Sequence, residues 1–148
     1  MRCLGIDYGE RRIGLSFGDE LGVAVPLPAA IEPTAEVRLA RVIQVARERR
    51  ATDYVIGYPY NMDGSVGFKA REVDVFIDRL IAAAPLPVHR VDERLSTRTA
   101  TEHMSKRRDD ELRRSGRIDS MAACVILQDF LNQHLPPPPM PEDLSSAG

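Results

Sequence analysis

The hydrophobic period of this chain changes once. From Arg2 to Leu27 apolar residues recur at every second position. From Val37 onward they recur at helical spacing, interrupted by short apolar runs. A strand shows successive side chains to opposite faces and a helix repeats every 3.6 residues, so the first part must form locally paired strands and the remainder must alternate helix with strand. Few architectures satisfy both halves with one core.

Leu4 and Ile6 alternate with Cys3, Gly5 and Asp7, which predicts a strand over Arg2 to Tyr8. Gly9-Glu10-Arg11 turns the chain, and Ile13, Leu15 and Phe17 alternate with Gly14, Ser16 and Gly18 as a hairpin partner. A third strand is expected from Val23 to Leu27, at a sheet edge because Pro26 and Pro28 have no N–H to donate. Leu39, Val42, Ile43 and Ala46 then predict a helix over Val37 to Arg49, with Thr34 able to cap it. Tyr54 to Gly57 reads as a short buried strand, and Tyr58 to Gly67 as a loop. A second helix runs through Val73, Phe76, Ile77, Leu80, Ile81 and Ala84.

Val88 to Val91 is the fifth strand and ends in Asp92-Glu93-Arg94. Ser96 can cap a helix to about Met104. A polar stretch from Lys106 to Arg117 leads to a last helix that places Ile118, Met121, Ala122, Val125 and Leu131 on one side. The expected fold is α/β and ribonuclease H-like. Its five-stranded mixed sheet has three antiparallel strands and then parallel ones joined by right-handed crossovers, with helices at its flanks. Residues 1–135 form the domain, and the proline-rich residues 136–148 form an extended, disordered tail.

A length of 148 residues suits one core, and 43% hydrophobic with 28% charged residues suits a globular chain. No apolar run approaches the roughly 20 residues that cross a bilayer, and no long apolar stretch precedes the first strand as a secretory signal would. A cytoplasmic protein with no membrane partner is expected, with Cys3 and Cys124 as reduced thiols. The net charge of −2 does not by itself point to a polyanion partner. Its distribution does: from Arg94 to Arg117 eight basic residues face four acidic ones.

Three carboxylates carry the chemical argument. Asp7 lies within an apolar strand, where burial costs several kcal/mol unless the group is paired, hydrogen-bonded or bound to metal. The structural alternative is an Asp accepting N–H groups from the turn at Gly9. Glu93 ends the fifth strand, where open α/β sheets place their ligands, although a solvated acid paired with Arg94 would also stand there. Asp92 alternates to the opposite face. Asp119 belongs to the first turn of the last helix, where the dipole alone favours an acid. Ala122 and Ala123 let that helix approach the sheet and bring Asp119 toward Asp7.

Together these positions can converge at one rim of the sheet. Hard divalent cations prefer carboxylate oxygens, and two of them about 3.5–4 Å apart can activate water and stabilise the leaving oxygen of a phosphoryl displacement. The expectation is a nuclease that hydrolyses phosphodiester bonds with Asp7, Glu93 and Asp119 as catalytic residues and as ligands to Mg²⁺ or Mn²⁺, in two ions.

Four blocks carry a resemblance. They are Leu4-Gly5-Ile6-Asp7-Tyr8-Gly9-Glu10-Arg11-Arg12-Ile13-Gly14, then Gly57-Tyr58-Pro59 with Asn61-Met62-Asp63-Gly64, then Val91-Asp92-Glu93-Arg94-Leu95-Ser96-Thr97, and Ile118-Asp119-Ser120-Met121-Ala122-Ala123. In this order they resemble the YqgF-type family, known as Holliday-junction resolvases and as nucleases that mature the small-subunit ribosomal RNA precursor. The resemblance implies a ribonuclease H-like fold, a divalent-metal site at Asp7, Glu93 and Asp119, and a nucleic-acid substrate. Tyr58 stands where the family usually has Leu, and Arg117 lies near where it often has Lys. On family grounds the expected role is 5′-end maturation of pre-16S rRNA in ribosome biogenesis, with the ribosome as a further partner. Resolution of branched DNA in recombination and repair is the alternative, and would call for a two-fold homodimer.

Backbone contact is expected from Arg11 and Arg12 after the first strand, and from Arg94, Lys106, Arg107, Arg108, Arg113, Arg114 and Arg117. A solvated hairpin turn and a solvated helical extension are the respective alternatives. Tyr8, Tyr58, Tyr60 and Phe68 are the aromatic residues near the site that could stack on a base, with packing in the core as the alternative for each. Gly14-Leu15-Ser16-Phe17-Gly18 matches a serine-hydrolase pattern, but Ser16 sits within a strand with no helix following. His89, His103 and His134 lack zinc-ligand spacing, no Walker A motif is present, and sugar-kinase and actin-like ATPases need a second lobe. The remaining competitor is a non-catalytic nucleic-acid-binding or ribosome-assembly factor on the same fold.

Overall fold

The computed structural model describes residues 1–93 and 118–135. Five strands form one sheet in the order β3-β2-β1-β4-β5: β1 (Cys3–Tyr8), β2 (Ile13–Gly18), β3 (Val25–Ala30), β4 (Asp53–Tyr58) and β5 (Val88–Asp92). The β1–β2 and β2–β3 pairs are antiparallel, and the β1–β4 and β4–β5 pairs are parallel. This is the mixed ribonuclease H-like sheet expected from the change of period. The helix expected from Ser96 and the 136–148 tail lie outside the described residues.

Alternation separates two cores. Leu4, Ile6, Leu15, Tyr54 and Ile56 face helices α1 (Ala35–Glu48) and α2 (Phe68–Ala83), packing with Val42, Val73, Phe76 and Leu80. Cys3 and Val55 face the opposite way, onto Ile126, Leu127, Phe130 and Leu131 of helix α3 (Met121–His134). Thr34 caps α1 by accepting the Val37 N–H at 3.2 Å. Glycines open the α3 side: a Cβ on Gly5 would strike the Ser16 hydroxyl and Leu127, and one on Gly18 would lie 2.7 Å from Leu131. The helix therefore rests almost directly on the sheet backbone.

Two elements differ from expectation. β3 is shifted toward the C-terminus and runs through both prolines, because on an edge strand their missing N–H groups need no partner. Asp119 precedes the last helix in a 3₁₀ turn (Ile118–Ser120). The cause lies in the sheet. The β2–β3 register is irregular between Ile13 and Leu15, and there the buried Ser120 hydroxyl accepts the Leu15 N–H at 2.9 Å. The Ser16 hydroxyl donates to the Ala123 carbonyl at 2.7 Å, which ties the start of α3 to the same strand.

Candidate active site

Asp7 is in register with Gly14 across the β1–β2 pair, and Gly57 is in register with Val91 across β4–β5. By alternation Asp7 shares the α3 face with Gly5, and Glu93 follows His89 and Val91 onto that face. A Cβ on Gly57 would lie 2.5 Å from the Glu93 carboxylate, so the missing side chain makes room for that acid. The Asp7 and Glu93 carboxyls stand close enough for a hydrogen bond between them. Such a bond needs one proton between the two groups.

Electrostatics follow from this contact. Burial pushes the Asp7 carboxyl above its ordinary value, opposed by the hydrogen bond to Glu93. Burial pushes Glu93 up to about 8, helped by the hydrogen bond and the charge of Asp7, while the Lys69 ammonium pulls it back down. Two half-buried acids that cannot both ionise cheaply form a site whose charge a cation would complete. The donor atoms are hard oxygens, which fit Mg²⁺ or Mn²⁺ better than soft metals.

Asp119 is brought to the same rim but not into the pair. A Cβ on Gly14 would strike the Asp119 carbonyl, so the 3₁₀ turn lies against the residue that faces Asp7. Its carboxylate accepts from the Arg12 guanidinium at 3.1 Å. Among the described residues no three His, Cys, Asp or Glu side chains are gathered closely enough to hold one ion. The three acids thus form a joined pair and a third member at the same rim, held by an arginine.

The surrounding residues carry further information. Arg12 pairs with Asp119, and Arg11 is exposed on the same turn. The buried Arg38 side chain donates to the Glu10 carbonyl at 2.7 Å and to the Glu32 carbonyl at 2.6 Å, fastening that turn to α1. Arg94, Lys106, Arg107, Arg108, Arg113, Arg114 and Arg117 lie outside the described residues. Of the four aromatics, Tyr58 is buried with its hydroxyl donating to Asp74 at 2.7 Å, Tyr60 packs on Tyr58, and Tyr8 packs on Phe76. Phe68 alone among them is exposed. Sequence reasoning overlooked Lys69, which with Glu93, Tyr8, Gly9, Glu10, Pro59, Glu72 and Val73 lines a cavity of about 380 Å³.

Comparison with known proteins bears on this geometry. The family model for RuvX, described as Holliday junction resolvase, matches residues 1–133. The chain belongs to the RuvX family. Among its relatives, a protein of Opitutus terrae named "Putative pre-16S rRNA nuclease" is 53% identical over 139 residues, spanning 93% of this chain and 96% of that protein. A protein of the same name from Anaeromyxobacter dehalogenans is 40% identical over 137 residues, covering 92% and 100%. Two solved structures share the fold of this RuvX chain. Thermus thermophilus RuvC has a TM-score of 0.52 at 16% identity, covering 90% of this chain and 96% of that one. Fowlpox virus resolvase, solved with Holliday junction DNA, has a TM-score of 0.57 at 11% identity, covering 92% and 100%. At such identities these two structures speak to the RuvX fold alone.

Proposed function

We propose that this chain is a divalent-metal-dependent nuclease that hydrolyses phosphodiester bonds in the 5′-end maturation of pre-16S rRNA, in the cytoplasm. The observation that carries the reading is the half-buried Asp7–Glu93 carboxyl pair at the C-terminal rim of the sheet, in a chain of the RuvX family. The names of its relatives support the RNA substrate.

Asp7 and Glu93 would hold the metal between them, and Asp119 would join by turning its carboxylate away from Arg12. Bound divalent ions supply an activated water and neutralise charge on the scissile phosphate. The protein's own contribution is positional. Ser120 fixes the turn that carries Asp119, Gly57 leaves the space Glu93 occupies, and Arg38 holds the Gly9–Arg12 turn. Once Asp119 is withdrawn, Arg12 is free to contact a phosphate. The basic residues Arg94, Lys106, Arg107, Arg108, Arg113, Arg114 and Arg117 complete the backbone contacts in this proposal.

A second reading follows from the family description, Holliday junction resolvase, and requires a two-fold dimer to cut symmetrically. The deciding experiment offers a ribosomal RNA precursor, a four-way DNA junction and single-stranded DNA to wild type and to Asp7→Asn, with Mg²⁺ or Mn²⁺, and maps the ends. Cleavage at the 5′ end of the precursor, lost in the variant, supports RNA maturation. Symmetric nicks in the junction support resolution. Equal background cutting by both proteins would leave a nucleic-acid-binding factor.

A further inference from the structure

The segment from Asn61 to Lys69 combines a stiff loop with apolar side chains left in solvent. Asn61 N–H donates to the Ser65 carbonyl at 2.9 Å and Gly64 N–H to the Asn61 carbonyl at 2.8 Å. The Asp63 carboxylate accepts from the Ser65 N–H at 2.9 Å and from its hydroxyl at 2.6 Å. Gly64 takes a φ of 86°, a left-handed conformation that glycine adopts without strain. This loop delivers Phe68, 73% exposed, to the first turn of α2, with Met62 and Val66 also exposed nearby. Single exposed apolar residues are ordinary, but three within seven residues beside a catalytic rim mark a contact surface.

Position decides what the surface contacts. Lys69, next to Phe68, is exposed and lines the cavity that reaches Glu93. Glu10 and Glu72 also line that cavity, so a polyanion is received at its mouth by the ammonium rather than drawn inside. An exposed aromatic residue followed in the chain by an exposed cation, both at the start of α2, suits a ligand that repeats a flat base and a negative charge. In duplex the bases stack on each other and leave no face for Phe68, whereas a single strand offers one at each step.

We propose that Phe68 and Lys69 form a subsite for single-stranded nucleic acid flanking the cut, with an unpaired base stacked on the Phe68 ring and its phosphate paired with the Lys69 ammonium. The inference deepens the nuclease reading and rests on it for the direction in which the strand runs toward Glu93. Stacking is tolerant of sequence, so the subsite selects strand structure rather than base identity.

The test measures equilibrium binding of labelled single-stranded RNA, single-stranded DNA and an RNA duplex by fluorescence anisotropy. It uses the full chain carrying Asp7→Asn, so that nothing is cut. Adding Phe68→Ala is expected to weaken both single strands by about tenfold, and to leave the duplex within about twofold. Phe68→Tyr is expected to bind like its parent, which separates stacking from misfolding. Lys69→Ala should weaken binding and lower the slope of log affinity against log salt by about 0.7. Unchanged single-strand binding after Phe68→Ala, an equal loss on duplex, or no single-strand binding by the parent overturns the proposal. Binding through Phe68 without any wild-type cleavage would sink the nuclease reading and leave the subsite standing. Cleavage by wild type with Phe68→Ala binding unchanged would do the reverse.

Discussion

The Arg12 guanidinium lies 3.1 Å from the Asp119 carboxylate, which is thereby paired with a cation rather than with the Asp7–Glu93 carboxyls. Arg12 is 65% exposed, so the contact is a surface ion pair of modest strength and can be exchanged for a metal on one side and a phosphate on the other. Arg12→Gln should change folding stability by less than about 1 kcal/mol. It should lower the half-saturating Mn²⁺ concentration by up to roughly fivefold, because Asp119 no longer has a competing partner, while raising KM for the nucleic acid. Titrating metal and substrate separately reads the two effects. A rise in the metal requirement would contradict this account.

The Asp7–Glu93 pair should make the metal-free protein lose stability as pH rises from 4.5 toward about 8. Both acids are shifted upward in the fold, Glu93 from 4.5 to about 8, so the folded state holds more protons than the unfolded chain across that range. The contribution of Glu93 is fully present below its ordinary value and is lost as pH rises toward about 8. The melting temperature measured with a chelator should therefore fall across this window. Glu93→Gln should flatten the decline, and Mg²⁺ should raise the melting temperature most at the alkaline end. A chelated protein that gains stability between these values would contradict the shared proton.

Ser120 is expected to matter out of proportion to its size. Its hydroxyl is the acceptor for the Leu15 N–H in a buried setting, and Ser120→Ala leaves that donor unsatisfied at a cost of about 1–3 kcal/mol. Urea unfolding measures the loss. Cleavage should fall as well, since the turn carrying Asp119 loses its tether to β2. Full stability in the variant would show that a water or another group takes the bond.

Gly57→Ala tests the space reserved for Glu93. The new methyl would lie 2.5 Å from both the Glu93 carboxylate and the Ile126 side chain, so one of them must move. Overpacking of this kind costs about 1–3 kcal/mol. Displacing the acid by about 1 Å is enough to lower turnover on the order of a hundredfold. Differential scanning calorimetry and single-turnover cleavage separate the two consequences. Wild-type turnover in a folded Gly57→Ala protein would show that Glu93 does not need its present place.

The residues differ in how openly the sequence displays them. Asp7 and Glu93 were legible because strand alternation assigns each to a face, and the two faces coincide once β1, β4 and β5 are parallel. The extent of β3 was not, since Pro26 and Pro28 argue against a strand anywhere except at the edge they occupy. The 3₁₀ turn at Asp119 depends on a register irregularity between β2 and β3, and a hydrogen bond across 105 positions leaves no local signature. Nothing in the sequence sets Arg38 and Lys69 apart from the other cations of their helices. Their roles come from what the fold puts opposite them, the Glu10 carbonyl for one and Glu93 for the other.

The bare backbone beneath α3 has a bearing on how such a protein can diversify. Where Gly5, Gly18 and Gly57 meet the helix and Gly14 meets the turn before it, any larger residue must displace a neighbour, so that half of the molecule has little freedom to change. The side chains of Arg11 and Arg12 on their turn, and of Phe68 at the end of its loop, meet no such obstacle, being open to water. Lineages that acquire a new preferred strand, or a new order of cutting, should show their substitutions on those two lips while the floor between them stays as it is.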